Sequence, residues 1–199
     1  MQPLPAAVAF DLPAVIDDHL RSVAELLSRV PVDAVVDAVR ALDATRREGG
    51  VAYLMGNGGS SAMALHLAND LAAVTARMPP VLHTHCLVGN ISTFSALAND
   101  TGYENVFVGQ LVGLRPCDLV LAISSSGDSE NCVRAVAHAQ RVGARSVGLL
   151  GFDGGRLAGL CDVAVHVPRH DYLSVEDAHG VVCHAMARAL SSGPANAAQ

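Results

Sequence analysis

No segment of this chain approaches the roughly 20 consecutive apolar residues that a membrane-spanning helix requires. Charge is also scarce, at 16% of 199 residues, and aromatics make up only 4%. Lys and Arg number 13 against 19 Asp and Glu, a formal balance of −6, so no broad basic surface awaits nucleic acid or an anionic membrane. Low charge beside 51% apolar residues excludes an intrinsically disordered chain. The five cysteines (Cys86, Cys117, Cys132, Cys161 and Cys183) are odd in number, scattered, and contain no C-x-x-C pair. That excludes a disulfide framework and a zinc finger, and predicts buried thiols in a reducing, cytoplasmic setting. Residues 1–10 lack the basic start and cleavage pattern of a secretory signal. Neither the P-loop G-x-x-x-x-G-K-[ST] nor G-x-G-x-x-G occurs.

What remains is enough for one domain with a real core. Apolar residues recur at helical spacing over 11–28 and 32–48, the second run ending at Gly49 and Gly50. These helices form an N-terminal segment, 1–50, that packs on the domain or on a neighbouring subunit. From residue 51 the texture changes to short apolar runs (51–55, 81–88, 118–123, 146–150 and 163–167) separated by helical patterns. The spacing predicts helices over 61–77, 91–98, 104–114, 130–142 and 174–190, and a frayed tail over 191–199. Strands that lack polar alternation and alternate with helices predict a single doubly wound α/β domain over 51–190, with a five-stranded parallel sheet flanked by helices. Ligands of such sheets bind beyond the carboxyl ends of the strands.

Two small-residue loops fall at that edge. The first is GNGGS, with Asn57, Gly58, Gly59 and Ser60. The second is SSSGDS, with Ser124, Ser125, Ser126 and Ser129. Either is compatible with a plain strand-to-helix turn capped by serine. Together, hydroxyls and helix-end amides at two neighbouring strand tips can surround a phosphate without any lysine.

These loops, with Ala98-Asn99-Asp100 between them and Gly154-Gly155-Arg156-Leu157-Ala158 after them, resemble the sugar isomerase (SIS) domain family, and within it the phosphoheptose isomerases. The resemblance implies an aldose–ketose isomerase acting on a phosphorylated sugar through an enediol, sedoheptulose 7-phosphate being the expected substrate. It implies a substrate site at Asn57, Gly58, Gly59, Ser60, Asn99, Asp100, Ser124, Ser125, Ser126, Ser129 and Glu176. Family members place histidine and glutamate on the first helix of the domain, and glutamine and histidine on the last, sometimes around zinc. The matching positions here are His66, Asp70, Glu176 and His184. Asp70 and His184 are then the catalytic acid–base pair, and all four residues form the expected zinc site. His179, three residues after Glu176, competes as its partner.

This chain departs from the family pattern at several positions. Asp70 is one methylene shorter than the usual glutamate and Glu176 replaces an amide. Val74 stands where an arginine is usual, with Arg77 the nearest alternative, and Asp128 stands where asparagine is usual. A carboxylate facing a phosphate repels it, so Asp128 is expected to point outward or cap its helix. The resemblance further implies a homotetramer with active sites at subunit boundaries. Other expectations it leaves open are an isomerase of another phosphosugar, a phosphosugar-sensing regulator, and a non-catalytic SIS module of the type that binds the bacterial replication initiator.

Overall fold

Runs of residues apolar on both faces must be covered on both sides, and the computed structural model, which describes residues 11–192, shows how. Five strands, β1 Val51–Gly56, β2 His83–Cys86, β3 Leu119–Ser124, β4 Arg145–Leu150 and β5 Val163–His166, form one parallel sheet in the order β2-β1-β3-β4-β5. Cys86, Leu54, Leu121, Val147 and Val163 lie side by side across it. Successive residues then point to opposite faces. Leu119, Leu121 and Ile123 enter the core beneath helices α2 (Val32–Arg47), α3 (Gly59–Thr75) and α7 (Tyr172–Ser191). Val120 and Ala122 enter the core beneath α4 (Ile91–Thr101), α5 (Glu130–Val142) and α6 (Leu157–Leu160). Helix α1 (Leu12–Leu27) packs on α7 rather than on the sheet, with His19 Nε2 2.8 Å from Asp177 Oδ2.

The expected elements are present, with two corrections. Residues 104–114 are not a helix; they form two 3₁₀ turns, Tyr103–Asn105 and Val108–Gln110. Val106, Phe107, Leu111 and Leu114 are buried as a helical pattern requires, but Gly109 and Gly113 interrupt the run. The Gln110 side chain instead donates to the carbonyls of Leu87 and Val106, at 2.9 and 2.7 Å, and pins the chain as turns. At the C-terminus, Ser191 belongs to α7 rather than to a tail; residues 193–199, like residues 1–10, lie outside the described part. All five cysteines are free thiols. Among the described residues no helix is long and apolar enough to cross a membrane.

One buried carboxylate ties the base of the sheet together. Asp118 is fully buried and accepts from the backbone N–H of Val51 at 2.9 Å, the backbone N–H of Arg115 at 2.8 Å and the Arg115 guanidinium at 2.8 Å. Burial alone would raise its pKa, but these hydrogen bonds outweigh it and hold the carboxyl below its usual range. The Asp118 contribution is therefore complete above the unfolded value near 3.9 and is lost as pH falls through the lowered folded value. Asp118→Asn is expected to cost about 1–3 kcal/mol in urea unfolding at pH 6, Arg115 being half exposed, with the gap to wild type closing below about pH 4. An equal gap at pH 6 and pH 2.5 would contradict this account.

Candidate active site

The turn from β1 into α3 is built for close approach. Gly58 adopts a φ of 54°, and Gly59 opens the helix with no side-chain cap, leaving first-turn N–H groups available. A Cβ on Gly59 would stand 2.3 Å from Oε2 of Glu176, so the bare glycine lets that carboxylate rest directly against the start of α3, and a side chain there would make it swing away. Ser60 is nearly buried behind it.

The second loop leaves β3 and enters α5. Ser124 Oγ accepts from Gly127 N–H at 3.1 Å, and Ser126 Oγ from Asp128 N–H at 3.3 Å. Gly127 is seated on the 154–155 turn, where a Cβ would stand 2.0 Å from the Gly154 carbonyl oxygen. Arg156, next in that turn, donates to Asp128 Oδ1 from its backbone at 3.0 Å and its Nε at 3.2 Å, and to Glu130 Oε2 at 2.8 Å. The Arg156 hydrogen bonds, backbone first, hold the Asp128 carboxyl below its usual range. Asp128 is exposed and does not line the space between the loops, which agrees with the expected outward orientation; it does not cap α5, and its partner is Arg156. The glycine–arginine motif thus shapes the serine loop from behind.

The two loops share a cavity of about 270 Å³, lined by residues 57–60, Ile123, residues 124–126, Ser129, Tyr172 and Glu176. No lysine or arginine lines it. What it could offer an anion is hydroxyls and the N-termini of α3 and α5. Ser125 Oγ is buried there without a hydrogen-bond partner, a state that a ligand oxygen would relieve. Asn57 braces the loops: its Nδ2 donates to Asn131 Oδ1 at 3.0 Å, while its Oδ1 accepts from Asn131 Nδ2 at 2.9 Å and from Tyr103 OH at 2.8 Å. Asn131, Tyr103 and Tyr172 were not singled out by sequence. The position of Asn131 in the first turn after the serine loop was the one available signal.

A second group of polar side chains lies farther along the same two helices. Nε2 of His66 stands 2.9 Å from Nε2 of His184 and 3.4 Å from Oδ2 of Asp70, and His184 Nε2 is 3.8 Å from that oxygen. The side chains are 51%, 62% and 23% exposed for His66, His184 and Asp70 respectively. One ligand atom from each of the three lies within 4.8 Å of the others, a group able to hold a metal ion. Cys183 beside them offers no thiolate: burial, then the Asp70 charge, pushes its thiol up to about 12.

Not every predicted residue joins these groups. Glu176 and His184 are eight residues apart on α7, about 12 Å of helix rise. Within one chain Glu176 lines the serine cavity, while His184 meets His66 and Asp70. The four expected ligands therefore do not form one cluster, and Asp70 and His184 do not line the serine cavity itself. Asn99 and Asp100 sit on the exposed surface of α4, Asn99 Nδ2 donating to Asp100 Oδ1 at 2.8 Å, and neither lines the cavity. Arg77 lies beyond the far end of α3, beside Met78 and Pro79.

The sequence matches the SIS domain family over residues 18–151. It is 37% identical over 167 residues to the phosphoheptose isomerase of Syntrophotalea carbinolica, covering 83% of this chain and 85% of that one. The chain belongs to the SIS domain family. The structure of the phosphoheptose isomerase from Neisseria gonorrhoeae superposes with a TM-score of 0.82 at 29% identity, covering 91% of this chain and 97% of that one. The phosphoheptose isomerase structure from Francisella tularensis gives 0.81 at 26% identity, covering 90% and 96%. Within the SIS family this chain therefore stands with the phosphoheptose isomerases, and its two serine-bearing loops occupy one edge of the shared sheet.

Ser125→Ala separates ligand binding from folding. It removes a buried hydroxyl that has no partner in the free protein, so thermal stability should be unchanged or slightly higher. Affinity for inorganic phosphate, measured by calorimetry, should fall about tenfold. A loss of stability with unchanged phosphate affinity would place Ser125 outside the anion site.

Proposed function

We propose that this chain is an aldose–ketose isomerase that converts sedoheptulose 7-phosphate to D-glycero-D-manno-heptose 7-phosphate. The observation that carries this is the seam between α3 and α7. At its start lie the hydroxyls and helix amides suited to a phosphate; about 12 Å along it stand two imidazoles and a carboxylate. A long sugar phosphate, with its phosphate at one end and its carbonyl at the other, suits that separation better than a triose phosphate.

Moving the carbonyl from C2 to C1 requires removal of a proton from C1, protonation of O2 to give the enediol, then return of a proton to C2 and loss of the O1 proton. Asp70 and His184 are the acid–base pair for these transfers, a carboxylate and an imidazole being the usual partners for such steps. His66, in reach of both, orients them. Two imidazoles and a carboxylate also match the donor set of a three-ligand zinc site with an open position. Zinc held by His66, Asp70 and His184 would polarise the substrate carbonyl. Glu176, against Gly59 and Ser60, is assigned to the sugar as an acceptor of hydroxyl hydrogens. Asn99 and Asp100 are assigned to a substrate site completed by a neighbouring subunit.

A homotetramer is part of this proposal. Leu12, Val15, Ile16 and Leu20 leave an exposed apolar stripe on α1, and Leu65 and Val181 are exposed beside the histidines. Burying those surfaces against neighbouring copies would cover His66 and His184 and close the site. The five free thiols suit a reducing, cytoplasmic setting.

Incubation of the full chain with sedoheptulose 7-phosphate, followed by NMR, should show the aldose product; no turnover overturns the assignment. Asp70→Asn and His184→Ala should each lower kcat by about 10²–10⁴-fold with an unchanged circular dichroism spectrum. Full activity in either variant removes that residue from the mechanism. Chelation should reduce activity and added zinc restore it, with metal content dropping in His66→Ala. Light scattering should report four chains per particle, and Ile16→Asp combined with Leu20→Asp should shift the mass downward; an unchanged mass would place the subunit contact elsewhere.

A further inference from the structure

Among the described residues, three buried side-chain atoms lack a hydrogen-bond partner: Ser125 Oγ and both ring nitrogens of His179. The hydroxyl faces the phosphate cavity and has its explanation there. His179 does not. It is 1% exposed and lies one turn after Glu176 on α7. Burial, opposed by the nearby Leu150 carbonyl and reinforced by His166, pulls its pKa down to about 4, so the ring is neutral at physiological pH. The Leu150 carbonyl is near enough to favour the protonated ring but lies outside hydrogen-bonding geometry with it. A neutral imidazole carries one donor and one acceptor, and leaving both unused in the interior is costly.

His179 opens onto a cavity of about 200 Å³ that it shares with Met63, Asp177, Glu176, Gly59, Ser60 and Ile123. The last four also line the serine cavity, so the smaller space adjoins it. It is roomy enough for water and has polar groups to hold it. Side chains on a helix lean toward its N-terminus, which aims His179 back toward the level of Glu176. We propose that His179 is a positioning residue: a buried imidazole that, through water held in this adjoining cavity, fixes the Glu176 carboxylate against the sugar. Water can donate to the bare ring nitrogen or accept from the protonated one, so either tautomer closes the network. The carboxylate, an acceptor only, receives the remaining water hydrogen. This rests on the assignment of Glu176 to the substrate sugar.

The test uses the full chain with His179→Leu, of similar volume, and His179→Gln, which keeps a donor and an acceptor. His179→Leu should melt at or above the wild-type temperature, since two unpaired nitrogens disappear. It should keep inorganic phosphate affinity within about twofold and lose about tenfold in kcat/KM toward sedoheptulose 7-phosphate. His179→Gln should recover most of that loss. Wild-type kcat/KM in His179→Leu overturns the proposal, as does equal loss of activity and of melting temperature in both variants, which would mark a purely structural residue. If the wild type itself does not turn over the heptulose phosphate, the substrate assignment fails instead, and a high-resolution crystal structure decides. Water within hydrogen-bond distance of both His179 and Glu176 upholds the network; a dry cavity overturns it.

Discussion

Parallel packing of α3 against α7 is the constraint on which the chemistry depends, because both helices follow strands of one parallel sheet and cross the same face. Their side chains meet in steps of about one turn: Glu176 at Gly59, Gly180 at Met63, His184 at His66 and Asp70. Shifting one helix by a turn would carry His184 past Asp70 and take Glu176 away from Gly59. Gly59 and Gly180 leave room along this seam for the Glu176 carboxylate and the Met63 side chain.

The cavity between the serine loops, proposed as the phosphate site, offers no cation. Hydroxyls and unpaired backbone N–H groups are fixed dipoles held in place by the fold, so little reorganisation is needed when a dianion arrives. Arginine has a supporting part: Arg156 pairs with both Asp128 and Glu130, offsetting their charge beside the serine loop. A carboxylate at 128 is tolerable because that neighbour is present. Asp128 and Arg156 therefore form one unit, twenty-eight residues apart in sequence.

Much of this was legible in the chain. Apolar runs too uniform for a half-exposed sheet announced parallel strands, and five of them appeared where expected. The serine and glycine loops were visible because few residue types tolerate positive φ or cap a helix, so the local physics leaves a strong mark. Failure came at 104–114, where apolar spacing suggested a helix while Gln110 made tertiary hydrogen bonds to Leu87 and Val106 that periodicity cannot show. Asn131 and Tyr103 escaped notice for the same reason, since each acts only by meeting Asn57 from a distant part of the chain.

The sequence by itself determined the layers of the fold, the two serine-bearing loops and the carboxylates and imidazoles on α3 and α7, because backbone geometry and burial act on neighbouring residues. Only the tertiary structure decided how the polar residues are grouped. It put His184 with His66 and Asp70, sent Glu176 to the serine cavity, and left His179 buried beside it. Spacing along α7 could not settle that division, because a helix offers several residues to one broad face and the partner helix selects which of them meet.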